Sequence, residues 1–239
     1  MTFPLGDLDN PLIKQGMTTQ FETRRTRMAA GETPIGWKVG MGAPASMQKL
    51  GLSAPLIGYL MQKGLRDSGA TVSLARYKRP VAEPEICVRM ATDLGRGASP
   101  EATLAAIKEI TPAIELADLD PVPAPDNLDL VLSRDIFQRN VILARTVRAG
   151  GGVSGLTSRL IRRGAEAART EDPEALMGKL LDIVAHVANV AAAFGEKLSA
   201  GDIVITGSIT PPLMIEPDET DLIHAIDPIG EVLVRFTRD

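Results

Sequence analysis

Two apolar segments of the sequence, each of which is expected to form a buried strand, carry acidic side chains. Residues 82–89 read Ala-Glu-Pro-Glu-Ile-Cys-Val-Arg, and residues 111–118 read Thr-Pro-Ala-Ile-Glu-Leu-Ala-Asp. Both segments are too apolar for solvated loops, so we predict a strand in each. The carboxylates of Glu83, Glu85 and Glu115 then need a partner. A divalent cation is the simplest one, because oxygen ligands suit Mg²⁺, Mn²⁺ and Ca²⁺.

The spacing of the first two glutamates supports a shared site. Side chains two positions apart on a strand lie on one face, so Glu83 and Glu85 point the same way. Pro84 has no backbone N–H to give to a sheet and predicts an edge strand or a strand start. The alternative is a pair of surface glutamates on an amphipathic edge strand, which is the commoner meaning of an isolated Glu-x-Glu. Glu115 in a second apolar segment, together with the family resemblance described below, favours the metal site.

Composition excludes several functional classes. The chain has 239 residues, of which 44% are hydrophobic and 3% aromatic, and a net charge of −4. Basic residues are spread along the chain and few aromatic rings are available to stack on bases, so we predict no nucleic-acid binding. A single cysteine allows no internal disulfide and fits a reducing, cytoplasmic compartment. We find no signal peptide and no apolar run of about 20 residues, so we expect no membrane partner.

The predicted elements mix helices and strands without regular alternation. Helices are predicted over residues 11–30, 44–51, 99–110 and 172–198. Strands are predicted near residues 36–40, 71–74, 82–89, 111–118, 140–147, 202–208 and 230–236. Residues 155–170 favour a helix by composition, but Arg163-Gly164 also suits a hairpin turn. Few helices and many strands predict an α+β fold around a mixed sheet rather than a doubly wound one.

Four sequence landmarks occur in a recognisable order. They are Gly-Trp-Lys-Val-Gly at residues 36–40, Glu-Pro-Glu-Ile at 83–86, Ala-Ile-Glu-Leu-Ala-Asp at 113–118 and Leu-Ser-Ala-Gly-Asp-Ile-Val-Ile-Thr-Gly-Ser at 198–208. Together they resemble the fumarylacetoacetate hydrolase superfamily, in particular its branch of 2-keto-4-pentenoate (2-hydroxypenta-2,4-dienoate) hydratases and 4-oxalocrotonate decarboxylases. Residues 230–236 match the usual closing strand of that family.

The resemblance implies a fold and a ligand set. The fold is the mixed β-roll or sandwich of fumarylacetoacetate hydrolase C-terminal domains, with flanking helices. Residues 1–60 would form an N-terminal helix and short strands packed on the main domain, and residues 61–239 the metal-binding β-roll, as one structural unit. Glu83, Glu85 and Glu115 correspond to the ligands of Mg²⁺ or Mn²⁺. The family also implies a homo-oligomer, at least a dimer, and a small-molecule 2-oxo acid as substrate.

Further pocket residues follow from the same match. Lys38 corresponds to the pocket lysine and is the candidate catalytic acid–base group; a surface lysine on a turn is the alternative. The candidate substrate-binding residues are Leu56, Gln138, Thr206 and Ser208. The implied reaction is lyase chemistry, a hydration or decarboxylation of a 2-oxo acid or its dienol through a metal-bound enolate. We expect a cation close to Lys38 to lower the pKa of this lysine.

The sequence also departs from the family pattern. A usual Pro-Asp-aromatic-Gly segment reads Pro-Leu-Ile-Gly at residues 55–58, so Leu56 replaces the acid. A usual Asp-Asn-Ala-Ser segment reads Asp-Ile-Phe-Gln at residues 135–138, and an Arg usual after the third ligand is missing. Two alternatives therefore stay open. One is an oxo-acid and metal-binding protein without hydratase activity; the other is a biosynthetic enzyme or C–C hydrolase acting on a larger, more apolar 2-oxo or 1,3-dicarbonyl substrate. Leu56, Ile136 and Phe137 would line the pocket of the second.

The remaining bases and nucleophiles are predicted to be structural. His186 and His224 lie far from the metal segments in sequence, and buried structural roles are the commoner ones for such histidines. The His–carboxylate pair with which C–C hydrolases of this superfamily activate water is not evident in the sequence, so hydrolysis ranks below lyase chemistry. Cys87 has no histidine near it in sequence and is predicted to be a packed or ligand-adjacent thiol.

Overall fold

Strands dominate the backbone of the computed structural model, which describes residues 3–239. The α-helices in this range are α1 Pro11–Ala29, α2 Pro44–Leu50, α3 Pro100–Ala106, α4 Leu128–Ser133 and α5 Leu180–Ala193. The strands are β1 Pro34–Gly40, β2 Leu56–Met61, β3 Leu65–Asp67, β4 Ala70–Ser73, β5 Pro80–Met90, β6 Ile107–Asp118, β7 Gln138–Leu143, β8 Arg148–Ala149, β9 Thr157–Arg162, β10 Ala165–Thr170, β11 Ile203–Ser208, β12 Leu213–Met214, β13 Asp221–Asp227 and β14 Gly230–Thr237.

The larger of two sheets carries every predicted metal-site strand. It has nine strands in the order β2-β1-β11-β5-β6-β7-β3, with β12 paired to β5 and β8 paired to β6. β1 runs parallel to β11, whereas β5 is antiparallel to both β6 and β11. The sheet is therefore mixed, as predicted, and the two glutamate-bearing strands are neighbours near its centre.

The smaller sheet packs across part of the larger one. Its five strands run in the order β10-β9-β13-β14-β4. Ile114 of β6 and Ile142 of β7 share a buried apolar cluster with Leu222 of β13 and Val234 of β14. Two sheets that bury apolar faces against each other form a sandwich. The predicted α+β class with a mixed sheet and a β-sandwich is confirmed.

Helices α1, α4 and α5 pack against the other side of the large sheet. Asn10 caps α1, since its side chain accepts a hydrogen bond from Leu12 N at 2.9 Å, and Pro11 occupies the first turn. Residues of all three helices share the main buried cluster with β1, β2 and β5. Within it Phe21 packs on Trp37, with ring centroids 5.9 Å apart. The site strands are thus supported by core on both faces.

The predicted division of the chain at residues 60 and 61 falls inside β2. Strands β1 and β2 belong to the same sheet as β5, β6 and β11, and Trp37 of β1 pairs with Val204 of β11. One sheet therefore runs across the boundary and joins the two parts. The separate roles assigned to residues 1–60 and 61–239 stay a prediction.

Pro84 marks neither a strand edge nor a strand start, and that prediction was wrong. It lies within β5, paired with Ile114 of β6. On the other side of β5 the partner strand changes, because the register of β11 is irregular between Ile205 and Ser208 and β12 then takes over. At this gap no ladder donor is required of Pro84, and its carbonyl accepts a hydrogen bond from Ile209 N at 2.8 Å.

Two helices are shorter than predicted. α3 ends at Ala106 because the chain continues directly into β6, which pairs with β5 from Ile107 onwards. α5 begins at Leu180 rather than near residue 172. Gly178 before it has a φ of 91°, and the carboxylate of Glu174 accepts a hydrogen bond from Leu180 N at 2.7 Å. Among the described residues, no helix combines the length and the apolar character that a membrane crossing needs.

Three strand assignments are also settled by the structure. Residues 155–170 form the hairpin of β9 and β10 rather than a helix, with Arg163 and Gly164 at positive φ in its turn. β7 ends at Leu143, short of the predicted end near residue 147. β13 was not predicted at all, although it lies between β9 and β14 in the smaller sheet. Its pairing with both neighbours, rather than its own short apolar pattern, defines it as a strand.

Both histidines are structural, as predicted. His224 of β13 is fully buried. Its Nδ1 donates to the carbonyl of Ala113 in β6 at 2.9 Å, and its Nε2 accepts from the Ser158 hydroxyl at 3.0 Å. Burial lowers the pKa of His224 to about 4, because the charged ring would lose its hydration. The ring of His186 is also buried, and its Nε2 donates to the carbonyl of Pro55 at 2.8 Å. His224 thus links the two sheets as a neutral ring.

We expect the free energy of unfolding to fall as the pH is lowered from 6.5 to 4, in part because of His224. The unfolded state binds a proton on this ring at the ordinary pKa near 6.5, whereas the folded state resists it down to about 4. The difference corresponds to about 3 kcal/mol of stability that is present above pH 6.5 and lost below it. Denaturant unfolding of wild type and His224→Gln at pH 7 and pH 4 measures it. The variant should lose less stability over this interval; equal losses would contradict the prediction.

Candidate metal centre and adjoining cavity

Three glutamate side chains converge between the central strands of the large sheet. Glu83 of β5 lies directly opposite Glu115 of β6 in the register, and Glu85 follows two residues later on the same face of β5. One carboxylate oxygen from each lies within 4.8 Å of the other two. Glu85 and Glu115 are fully buried, and Glu83 is partly buried. The structure therefore brings together the three residues that the sequence singled out.

The electrostatics of this cluster oppose three bare negative charges. Loss of hydration, followed by the charge of Glu115, raises the pKa of Glu83 to about 7. The same two causes raise the pKa of Glu85 well above its usual value. Like charges this close in a buried site disfavour joint ionisation. A further positive charge, or protons, must compensate for them.

The donor set suits a divalent cation. Oε2 of Glu85 accepts a hydrogen bond from Gly207 N at 2.6 Å. Oε1 of Glu85 and Oε2 of Glu115 are buried and have no hydrogen-bond partner within residues 3–239. Buried polar atoms are rarely left without a partner, and a cluster of carboxylate oxygens is the ligand set of Mg²⁺ and Mn²⁺. The residues present therefore fit the metal that the family resemblance implies.

Lys38 of β1 completes the cluster and is no surface lysine. Only 2% of it is exposed, and its Nζ forms an ion pair with Oε1 of Glu115. Burial alone would lower the pKa of Lys38, but the charges of Glu115 and then Glu83 outweigh it and raise this pKa above its usual value. The lowered pKa that we expected applies to a lysine beside a bound cation. In the protein chain alone the charges of the carboxylates outweigh the effect of burial, so Lys38 is an ammonium.

Asp135 is a buried polar residue of this region that the sequence did not assign. Its Oδ1 accepts hydrogen bonds from Tyr59 N at 2.8 Å and from Gln20 Nε2 at 2.9 Å. Loss of hydration raises the pKa of Asp135 to about 7. Gly58 separates it from Lys38: a Cβ there would lie 2.5 Å from Oδ1 of Asp135 and 2.9 Å from Cγ of Lys38. The carboxyl therefore supports the backbone of β2 directly beneath the lysine stem.

One signal in the sequence pointed to Asp135. It is the single acid kept where the family carries Asp-Asn-Ala-Ser. In the structure it opens a turn in which residues 135–137 all have positive φ, of 55°, 49° and 62°. Non-glycine residues rarely adopt this conformation, and runs of them concentrate at functional sites. The turn aims Ile136 into the core, where its Cγ2 would lie 3.0 Å from a Cβ placed on Gly40.

A cavity of about 190 Å³ adjoins the glutamate cluster. Glu83 and Ser208 line it, whereas Lys38, Glu85 and Glu115 do not, so Glu83 joins the cavity to the buried part of the site. The hydroxyl of Ser208 is buried without a hydrogen-bond partner among the described residues. Of the four predicted substrate-binding residues, Ser208 is the one placed at this cavity.

The other predicted pocket residues lie elsewhere. Leu56 lines a separate small cavity beside His186. Gln138 lines a polar surface pocket with Asp118 and Arg139. The hydroxyl of Thr206 is used internally, since it donates to the carbonyl of Ile86 at 3.0 Å.

The apolar pocket wall expected from Leu56, Ile136 and Phe137 is therefore built differently. Phe137 lines the polar surface pocket together with Gln138, and Ile136 is 1% exposed within the main core. The apolar residues at the cavity come instead from loops and from α2. Spacing along a chain does not reveal which loops meet across a sheet.

The remaining candidate groups take no part in the site. Among the described residues, neither His186 nor His224 forms the His–carboxylate pair, because their ring nitrogens bind only the carbonyls of Pro55 and Ala113 and the hydroxyl of Ser158. Cys87 packs among buried apolar residues of the large sheet. Burial raises its pKa to about 12, so the thiol is held neutral. It is a packed thiol rather than a nucleophile.

Comparisons of the sequence and of the structure with known proteins show which enzymes this chain is similar to. No family model matches the chain. A 4-oxalocrotonate decarboxylase from Pseudomonas putida is 26% identical over 227 residues, which are 92% of this chain and 83% of that protein. A 2-keto-4-pentenoate hydratase from Burkholderia vietnamiensis is 29% identical over 88% of this chain and 81% of that protein. The structure of 4-oxalocrotonate decarboxylase from Pseudomonas putida G7, complexed with magnesium and adipate, has a TM-score of 0.86 at 24% identity and covers 99% of this chain and 90% of that one.

The chain is similar over nearly its whole length to enzymes of both kinds, 4-oxalocrotonate decarboxylases and 2-keto-4-pentenoate hydratases. The resemblance predicted from the four landmarks is confirmed, and so is the fold it implied. The magnesium and the adipate are ligands of the Pseudomonas decarboxylase, whose likeness to this chain shows a shared fold.

We predict that Glu85→Gln abolishes stabilisation by Mg²⁺. A ligand that binds only the folded state raises its stability by about 2.7 kcal/mol at a hundred times its dissociation constant. Wild type should therefore melt at a higher temperature with Mg²⁺ than with EDTA, and Glu85→Gln, which keeps the shape and removes one ligand charge, should not. Glu101→Gln, at an exposed glutamate in the first turn of α3, is the matched control and should behave like wild type.

Metal content measured on the same three proteins completes this test. Equal metal content in wild type and Glu85→Gln, with no effect of EDTA on either melting temperature, would refute a cation at this cluster. A loss of Mg²⁺ stabilisation in Glu101→Gln as well would show that the effect is one of general surface charge, not of the three-carboxylate site.

Proposed function

We propose that this protein is a divalent-metal-dependent lyase that hydrates or decarboxylates a 2-oxo acid or its dienol. The observation that carries the proposal is the buried cluster of Glu83, Glu85 and Glu115 with one ammonium, Lys38, paired to it. The similarity to decarboxylases and hydratases of this chemistry supports it. Glu83, Glu85 and Glu115 would hold Mg²⁺ or Mn²⁺.

When bound, such a cation is a Lewis acid that stabilises negative charge developing on a 2-oxo acid. The chain's own residues would then orient the substrate and move protons. Lys38 is the proposed acid–base group, since it is the cationic side chain bonded within the cluster and its ammonium can donate a proton to a neighbouring anionic carbon. Its ion pair with Glu115 fixes the position of Nζ.

Asp135 would act as a positioning residue rather than as a reacting one. It binds the backbone of Tyr59 and the side chain of Gln20, and Gly58 lies between it and the stem of Lys38. Ser208, with an unpaired hydroxyl at the cavity, is the proposed polar contact for substrate. Leu56, which takes the place of a usual family acid, leaves Lys38 as the main proton donor, so turnover of small dienoates should be slow.

We expect Lys38→Met to lower kcat about 10²–10⁴-fold, the usual contribution of a general acid–base group. The assay follows 2-hydroxypenta-2,4-dienoate and 4-oxalocrotonate with Mg²⁺ and with Mn²⁺. Lys14→Met, an exposed lysine on α1, is the matched control and should retain wild-type rates. EDTA should abolish turnover in every variant.

The same assay separates the proposal from its competitors. If neither compound is consumed by wild type, yet oxalate binds only with metal present, the protein is an oxo-acid binder without lyase activity. If neither compound reacts and oxalate does not bind, the proposed function is wrong and the fold alone remains. Equal rates for wild type and Lys38→Met would remove Lys38 from the mechanism.

We also propose that the protein is a homo-oligomer, at least a dimer. Both sheets end in edge strands, and β10 at the edge of the smaller sheet has exposed alanines and free backbone groups of the kind that pair with another copy. The monomer has a mass of 25.4 kDa. Light scattering at micromolar concentration should give at least twice that mass; the monomer mass at every concentration would contradict the proposal.

A further inference from the structure

The cavity beside Glu83 has an apolar wall that the proposed chemistry does not use. Its apolar side chains are Met41, Leu50, Leu119, Val122, Leu176 and Met177. They come from the segment after β1, from α2, from the loop after β6 and from the segment before α5, so none of them belongs to the strands that carry Glu83, Glu85 and Glu115. A substrate bound at the glutamate cluster would extend its far end along this wall.

Met177 lies at the junction between this wall and the glutamate cluster. A Cβ on Gly207 would lie 2.3 Å from Cε of Met177, and a Cβ on Gly42 would lie 2.4 Å from the same atom. Any larger residue at either position would collide with the methionine, so the two glycines make the space that Met177 occupies. Gly207 has a φ of 89°, and its N–H binds Glu85. The thioether therefore narrows the cavity at its metal end, beside the peptide whose N–H binds a proposed metal ligand.

Positive charge at the cavity is scarce. Of the lining residues, all of which lie in the part of the chain that the structure describes, Lys49 is the one cation. It lies exposed in the last turn of α2, and within residues 3–239 it has no ion-pair partner. A carboxylate in an apolar site loses its hydration at high cost, whereas a solvent-exposed ion pair restores little because water and salt screen it. An uncharged chain fits this wall better than a second carboxylate.

We propose that the cavity selects 2-oxo acids whose far end is an uncharged apolar chain, and that Met177 sets how wide this chain can be where it leaves the metal end. This inference rests on the proposed function, because it assumes that the 2-oxo acid end lies at Glu83, Glu85 and Glu115. It assigns the specificity of the site to residues outside the strands that carry its chemistry.

The first test is a binding series measured by calorimetry at saturating Mg²⁺. Affinity should rise from pyruvate through 2-oxobutanoate and 2-oxopentanoate to 2-oxohexanoate, by about fourfold for each buried methylene. 2-Oxoadipate has the same number of carbons as 2-oxohexanoate but ends in a carboxylate, and it should bind roughly tenfold more weakly because that group loses hydration. Oxalate reports on the metal end alone.

Three outcomes would overturn the inference, and they are distinguishable. If oxalate binds with Mg²⁺ but affinity is flat along the series, the proposed function stands and the apolar selection is wrong. If 2-oxoadipate binds more tightly than 2-oxohexanoate and loses that advantage in Lys49→Met, the far end is a carboxylate held by Lys49. If oxalate fails to bind with Mg²⁺, the proposed function and this inference both fall.

The second test addresses Met177 itself. In Met177→Ala the branched acid 3-methyl-2-oxobutanoate should gain affinity relative to its straight-chain isomer 2-oxopentanoate, because the methionine no longer narrows the cavity beside the metal end. Met177→Leu, of similar volume, should keep the wild-type order. A purely structural Met177 would change the melting temperature of both variants without changing the order of ligands, and that result would overturn its role in selection.

Discussion

The burial of three carboxylates between β5 and β6 is the constraint on which the rest of the site depends. Two unit charges no more than 4.8 Å apart repel by about 3 kcal/mol or more at an effective dielectric constant of about 20. Lys38 supplies one positive charge against three negative ones. The raised pKa values of Glu83 and Glu85 express the remaining imbalance. Strands on both sides, and core on both faces of the sheet, hold these groups close together.

The chemistry-bearing part of the site could be predicted from the sequence because it follows from strand geometry. Glu83 and Glu85 share a face through the two-residue period of a strand, and Glu115 pairs opposite Glu83 because both sit in long antiparallel strands. The landmark around Lys38 placed it in β1, whose pairing with β11 brings it to the same place. These facts depend on local periodicity, which a sequence displays.

The parts that could not be predicted depend on which distant segments meet. Pro84 indicated a strand edge, but a change of partner strand beside β5 makes a central proline acceptable. The helical pattern before Leu180 is interrupted by Gly178 and by the side chain of Glu174, a tertiary arrangement without a periodic signature. Leu56 and Gln138 occupy the right positions in the family pattern, yet their side chains line other surfaces.

The contact of Met177 with Gly207 has a thermodynamic consequence. The peptide N–H of Gly207 is bonded to Glu85, so an occupant that moves the methionine also changes the surroundings of a carboxylate in the cluster. Coupling between two binding events is reciprocal: whatever factor a long chain adds to the affinity for the cation, the cation must add to the affinity for the chain. The binding of the cation and the binding of the apolar chain of a substrate would then be coupled through one backbone hydrogen bond.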